Sequence, residues 1–352
     1  MDFPNVVPEA LRHIQKLFLP NCASQQLSLM KELSEEFVFF EVDKWGNTRN
    51  QKLPPIKELQ IIERIAYYFR TPENDQKMAT FQFLLPFGSK LVDNRLPVLG
   101  KLLSLAIATE NGNVLNYIGT WMQLCTCVSD YSAFIAKSVI QEHIKPNSVN
   151  ERIKNLPTIS PIFCASLISA ITNMYFASCP PNHVINIILE WINSVPSLCF
   201  SPFKLSIPSS FNFPGPQTPI PGLMFWCILC PLYKEETAKS KMLKSDDEIF
   251  SFLLLALLKC MTKAVPETAK FEAVQVTSII VIAETLKKMI HASKERLETA
   301  LNSFAMCVEI ALTSNCLHVH TEKIARLFNH CLSLPFNYPL KIVLEKWAGA
   351  KH

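Results

Sequence analysis

Glycine is scarce in this chain, 8 residues in 352. Loops that cradle phosphate with successive backbone N–H groups are built on glycine, so the nucleotide-binding motifs that depend on them are missing. Charge is thin as well. Asp, Glu, Lys and Arg make up 18% of the chain and the net charge is only +4. A nucleic-acid binder needs a clustered basic face, which this balance does not supply. Long apolar runs are also missing. The run Phe250 to Leu258 is closed by Glu248 before it and Lys259 after it, far short of the ~20 residues of a membrane-spanning helix. It reads as a core helix. The opening Met1-Asp2-Phe3-Pro4-Asn5 has neither the basic n-region nor the apolar h-region of a secretory signal. Strand-like alternation is absent, and no Ser, Cys or Lys stands in a recognisable nucleophile motif.

What is present is apolar residue at helical spacing. Hydrophobic residues are 49% of the chain, enough to exclude global disorder. The length exceeds one ordinary compact core, so the chain is two domains or one extended repeat array. Its most regular stretch is Leu96 to Leu124. Leu96, Leu99, Leu102, Leu103, Ala106 and Ile107 fall three and four apart; Asn111-Gly112-Asn113 breaks the period; Val114, Leu115, Ile118, Met122 and Cys125 resume it. This predicts an antiparallel αα-hairpin with Leu99, Leu102, Leu103 and Ile107 in its core. Twelve cysteines are scattered singly among apolar neighbours, the pattern of buried free thiols in a reducing compartment.

Further helices follow from stripes and punctuation. Pro8 suits the first turn of a helix ending before Pro20. Ser24 to Phe40 carries Leu27, Met30, Leu33 and Phe37 on one face, and Ile56 to Phe69 carries Leu59, Ile62, Ala66 and Phe69. Thr71-Pro72 restarts a helix ending at Pro86. Asp130 is the expected N-cap of a helix reaching Ile144, and Ser160-Pro161 pairs a cap with a first-turn proline. Cys179-Pro180-Pro181 separates that helix from the next. Beyond Pro221 come helices at Gly222 to Leu232, Asp246 to Ala264, Glu267 to His291, Ser293 to Asn315, Thr321 to Leu332 and Pro339 to Trp347, with a charged, mobile stretch over Tyr233 to Lys244. Trp121, Trp191 and Trp347 read as core residues. The fold class is all-α: about fifteen helices on short loops, an irregular α-solenoid of antiparallel pairs of the HEAT or armadillo kind.

One stretch breaks the pattern. Residues 196–221 hold seven prolines, at 196, 202, 208, 214, 216, 219 and 221. No helix persists at that density, since each internal proline costs roughly 3 kcal/mol. The chain therefore divides into a helical-repeat half, 1–195, a connector, 196–221, and a second helical half, 222–352. The connector also holds Phe200, Phe203, Phe211 and Phe213. Extended by its prolines, it can lay these rings along the solenoid as an internal staple or offer them as anchors to a partner.

Candidate chemistry is thin. Cys227 and Cys230 have CxxC spacing without a second ligand pair, and Cys125-Thr-Cys127 is weaker. Cys316, His318, His320, His330 and Cys331 form the richest set of metal-ligand types, at no known zinc spacing. Ser245-Asp-Asp-Glu lacks a further acid one turn on, because position 250 is Phe; the carboxylates suit a helix N-terminus. Lys239, Lys241 and Lys244 stand beside Glu235 and Glu236 as a solvated run. The residues point to no cofactor, small-molecule substrate, membrane or strong nucleic-acid partner. An all-α metal-dependent enzyme and a helical-repeat RNA binder are the alternatives to an interaction scaffold.

Several strings resemble the Integrator complex subunit fifteen family. They are Leu33-Ser-Glu-Glu-Phe-Val-Phe39, Lys57-Glu-Leu-Gln-Ile-Ile-Glu63 with Tyr68-Phe69, and Asp93-Asn-Arg-Leu-Pro-Val-Leu-Gly-Lys-Leu-Leu-Ser104. Thr120-Trp121-Met122-Gln123, Glu190-Trp191-Ile192 and Thr218-Pro-Ile-Pro-Gly-Leu-Met-Phe-Trp-Cys227 add support in the same order and spacing. The likeness runs through nearly the whole chain. Family members carry a Pro- and His-rich tail after the last helices and a longer charged linker near 233–244; this chain departs from both, and no role of that tail carries over. The resemblance implies a non-enzymatic subunit of a nuclear assembly that binds RNA polymerase II, cleaves nascent RNA, processes small nuclear RNA 3′ ends and recruits a phosphatase. Within it, the expected role is a scaffold joining the arm module to the other Integrator subunits.

Overall fold

The computed structural model describes residues 3–18, 23–43, 45–49, 53–72, 74–87, 90–146, 148–205, 207, 213–237, 245–263, 272–289, 292–317 and 338–349. They form an all-α fold. The first helix, α1 (Phe3–Leu17), buries Val7, Ala10, Leu11 and Ile14, one stripe at helical spacing. It starts five residues before Pro8, which therefore lies inside the helix rather than in its first turn. Helix α2 (Ser24–Leu33) does not continue regularly to Phe40. Its last turns widen into a π-helical segment, Ser34–Val38. The wider turn shifts the register. Met30, Ser34 and Val38 become the buried positions, while Leu27, expected inside, is exposed.

Helix α3 (Pro55–Tyr68) buries Ile61, Ile62, Ile65, Ala66 and Tyr68. Leu59, also expected inside, is 51% exposed. The helix carries apolar residues on two faces, and the isoleucine face is the one that meets α1 and α5 (Lys90–Ala108). Helix α4 (Asp75–Leu84) begins four residues after Thr71, because the Asn74 side chain caps it by accepting from Lys77 N at 2.9 Å. Helices α5 and α6 (Gly112–Leu124) pack as the expected hairpin, and Leu99, Leu102, Leu103 and Ile107 are all buried. Asn111 caps α6 by accepting from Val114 N, and Glu110 takes the left-handed conformation that turns the chain (φ 51). Buried Arg95 fastens the start of the hairpin to the preceding loop. It donates to both Glu41 carboxylate oxygens, at 3.0 and 2.8 Å, and to Leu84 O at 2.7 Å.

Helix α7 (Asp130–His143) is capped by Ser129, not Asp130. The Ser129 hydroxyl reaches Ser132 N, and Asp130 takes a first-turn position that suits its charge. A short antiparallel pair follows, β1 (Ile144–Lys145) with β2 (Ser148–Val149), where no strand was expected. Two single turns, α8 (Glu151–Lys154) and α9 (Leu156–Ile159), lead into α10 (Pro161–Met174), capped by Ser160 with Pro161 at its first position. Next are α11 (Asn182–Ser194) and the 3₁₀ turn Leu198–Lys204, then α12 (Ile220–Thr237), α13 (Ser245–Met261), α14 (Val276–Lys288), α15 (Lys294–Thr313) and α16 (Tyr338–Gly349). Helix α14 starts nine residues later than expected, after a non-helical stretch at 272–275. The charged stretch expected over 233–244 begins as helix, since α12 continues to Thr237; residues 238–244, the expected helix over Thr321–Leu332 and the Trp347 side chain lie outside the described parts. No single described helix is long and apolar enough to cross a membrane.

Helix α10 is the hub. Phe163 through Thr172 are buried without interruption, as expected of a helix apolar all round. It packs on α6, α7, α12 and the 3₁₀ turn. Two of the few glycines make this possible. A Cβ on Gly119 of α6 would stand 2.6 Å from Phe163 Cα, and one on Gly222 of α12 would overlap the Thr172 side chain. Beyond α10, α12 packs on α13 and α15, and α15 on α16. Trp121 and Trp191 are fully buried, their indole N–H groups donating to Leu85 O and Ile153 O, both at 2.7 Å.

Candidate functional site: the proline-rich segment

The segment 196–221 is structured where it is described. Leu198–Lys204 forms the 3₁₀ turn, a helical element where none was expected, with Pro202 inside it. Proline lacks an N–H to donate, and here Pro202 serves as an acceptor, from Leu205 N at 3.3 Å. Phe200 is buried against α10 and stacks on half-buried Phe203, ring centroids 6.3 Å apart. Phe213 is half-buried and packs on the core. Phe211 lies outside the described residues.

The tightest contact comes at Gln217. The Gln123 side chain on α6 accepts from Gln217 N at 2.8 Å and donates to Gln217 O at 3.0 Å. The Gln217 side chain in turn accepts from Cys127 N at 2.7 Å. One amide side chain thus satisfies both backbone groups of a residue 94 positions away, as a neighbouring strand would. Gln123 is fully buried and also donates to Ser166 Oγ on α10 at 3.0 Å. The next residue reaches in the opposite direction. Thr218 Oγ1 donates to Ala273 O at 2.6 Å, Val274 N donates to Cys316 O at 2.9 Å, and Cys316 Sγ lies 3.7 Å from Met261 O. A continuous series of hydrogen bonds therefore runs from α6 through the proline-rich segment to the stretch before α14 and the ends of α15 and α13. The four phenylalanines, not these two polar residues, are what the sequence offered; no local pattern marks Gln123 or Gln217.

A family model for Integrator complex subunit 15 matches residues 1–336. The chain belongs to this family. It is 28% identical to Integrator complex subunit 15 of Drosophila melanogaster over 370 residues, covering 98% of this chain and 94% of that protein. Against the Mus musculus protein the identity is 28% over 387 residues, and against the Homo sapiens protein 27% over 388, each covering 98% of this chain and 84% of the relative.

In this Integrator family member the described residues bring no metal-ligand set together. Among them, no three His, Cys, Asp or Glu side chains are grouped so as to hold a metal ion. Cys316 is buried; His318, His320, His330 and Cys331 lie outside the described residues. Cys227 and Cys230 are both buried on α12, and burial pushes the Cys227 thiol well up. The ten described cysteines are free thiols. Ser104, Glu142 and His143 do come together. His143 Nε2 is 3.2 Å from Ser104 Oγ, and Ser104 donates to Glu142. The carboxylate, however, approaches Nε2 itself, at 3.9 Å. The acid of a catalytic triad holds Nδ1 and so aims the ring at the serine. Burial also lowers the His143 pKa.

Proposed function

We propose that this chain is a non-catalytic scaffold subunit of the Integrator complex, and that its helix pairs form an irregular solenoid linking the arm module to the rest of the assembly. The observation that carries the reading is the hydrogen-bonded series through Gln123, Gln217 and Thr218. It supports reading the proline-rich segment as an internal staple between a helical half at 1–195 and another at 222–352, the kind of fixed joint that a scaffold transmitting position between subunits needs. Burial of Phe200 favours this over a role for that ring as a partner anchor. On this reading the chain works in the nucleus, supporting regulation of RNA polymerase II transcription and small nuclear RNA 3′-end processing through its partners, with no cofactor and no chemistry of its own. Family membership, and the approach of Glu142 to Nε2 rather than Nδ1 of His143 beside Ser104, support it. The test is affinity purification of the tagged chain from nuclear extract followed by mass spectrometry. Recovery of Integrator subunits in stoichiometric amounts is expected; their absence overturns the proposal. Stoichiometric zinc or magnesium, lost on changing Cys316, His318 and His320 to Ala, would favour the metal-dependent enzyme instead.

A further inference from the structure

Where α1, α3 and α4 meet, the surface holds a concavity of about 420 Å³, lined among others by Arg12, Tyr67, Tyr68, Arg70, Thr71 and Lys77. Among its described lining residues three are cations and none is acidic. In a chain whose net charge is only +4, that concentration of one sign is local. The cations come from three elements: Arg12 from α1, Arg70 from the turn after α3, and Lys77 from α4. Neither guanidinium has a hydrogen-bond or ion-pair partner among the described residues. Each therefore presents a full fork of donors.

The rim is built rather than loose. Asn113 Nδ2 donates to Arg70 O at 2.5 Å and Tyr117 OH donates to Pro72 O at 3.2 Å, so α6 holds the turn that carries Arg70. Asn74 fixes the first turn of α4. Lys77 Nζ donates to Tyr68 O at 3.0 Å and to Thr71 Oγ1, and it lies 4.7 Å from the centre of the Tyr68 ring. Two of its three donors are used and the third remains for a ligand. Burial lowers the Lys77 pKa, a penalty that an anion beside it would relieve. Tyr67, 65% exposed, forms an aromatic wall.

We propose that this concavity binds the phosphoryl group of a phosphorylated serine or threonine on a protein partner. Cations that converge from three elements on one hollow match a compact group carrying about −1.5 to −2 charge and three acceptor oxygens. A carboxylate brings one charge and two oxygens, and fills the donor set less well. A nucleic-acid strand needs cations along a path with stacking rings at intervals, whereas these three line a single hollow. The pre-set rim lowers the ordering cost of binding.

The test uses the full chain and fluorescence anisotropy, with a labelled peptide holding one phosphothreonine or phosphoserine between Gly and Ser residues. Controls are the unphosphorylated peptide, its Glu counterpart and a uridine oligonucleotide. The phosphopeptide is expected to bind in a salt-sensitive way and both peptide controls at least about tenfold more weakly. The double variant Arg12→Ala, Arg70→Ala, whose side chains hold nothing in the fold, is expected to keep its melting temperature and lose binding about tenfold or more. Lys77→Met gives an independent third reading of the same loss. Four results each overturn the proposal: no phosphopeptide binding up to ~10 mM, equal binding of the control peptides, unchanged binding by the double variant, or tighter binding of the oligonucleotide with the same variant dependence.

Discussion

Replacing Gln123 by Ala removes one side chain and leaves two backbone groups, Gln217 N and Gln217 O, without their partner. Gln123 is fully buried, yet the bonds to Gln217 are only partly buried, so water reaches part of the vacated site. A buried polar group left unpaired costs about 1–3 kcal/mol. Taking the lower part of that range for each of two groups gives a loss of about 2–3 kcal/mol. Unfolding entropy of about 2.1 cal/mol/K per residue over 352 residues turns this into a melting-temperature drop of about 3–4 °C. Ser166→Ala is the internal control. It removes only one acceptor of Gln123 while leaving both Gln217 bonds in place, and should cost less than about 1 kcal/mol. Urea denaturation of the two variants beside the parent measures both values. A Gln123→Ala loss below about 0.5 kcal/mol, or equal losses for the two variants, would refute the reasoning that Gln217 is held by Gln123.

Leu103→Ala in the α5–α6 hairpin should cost ~2–5 kcal/mol by the same measurement, the range for a fully packed leucine; a loss under ~0.5 kcal/mol would contradict its burial. Gly119→Ala should destabilise by ~1–3 kcal/mol despite better helix propensity, because its Cβ meets Phe163 backbone at 2.6 Å; a stabilised variant would show that α6 and α10 separate freely. Burial raises the Cys307 pKa from its ordinary 9.0 to about 12. The unfolded chain therefore ionises this thiol first, so its contribution is complete below pH 9 and is lost as pH rises towards 12. Melting temperature should fall over that window, less steeply in Cys307→Ala; identical slopes would contradict the shift.

The sequence was read best where the signal is local. Ser160 with Pro161 marks a helix start and the structure puts the cap there; Asn111-Gly112-Asn113 marks only a break in the period, and the structure makes Asn111 the cap of α6. It was read worst where packing chooses between two local options. Ser129 and Asp130 both cap well, and only geometry selects Ser129. Leu59 continues an apolar stripe, but Ile61 and Ile65 form the competing stripe that α1 and α5 cover. Helix α10 has no stripe at all, because it is buried on every side, so its central place could not be read from periodicity. Gln123 is a polar residue on an apolar helix, and its partner stands 94 residues away. Arg12, Arg70 and Lys77 are likewise scattered along the chain and meet only when α1, α3 and α4 pack.

On the proposed function, this chain links parts of the Integrator assembly through two helical halves held at a fixed joint. Lysine cross-linking with mass spectrometry, on Integrator purified through the tagged chain, tests it most directly. Lysines within 1–195, such as Lys57 and Lys101, and lysines within 222–352, such as Lys259 and Lys287, are expected to cross-link to different Integrator subunits. Cross-links from both halves to a single subunit, or to no Integrator subunit, would contradict it.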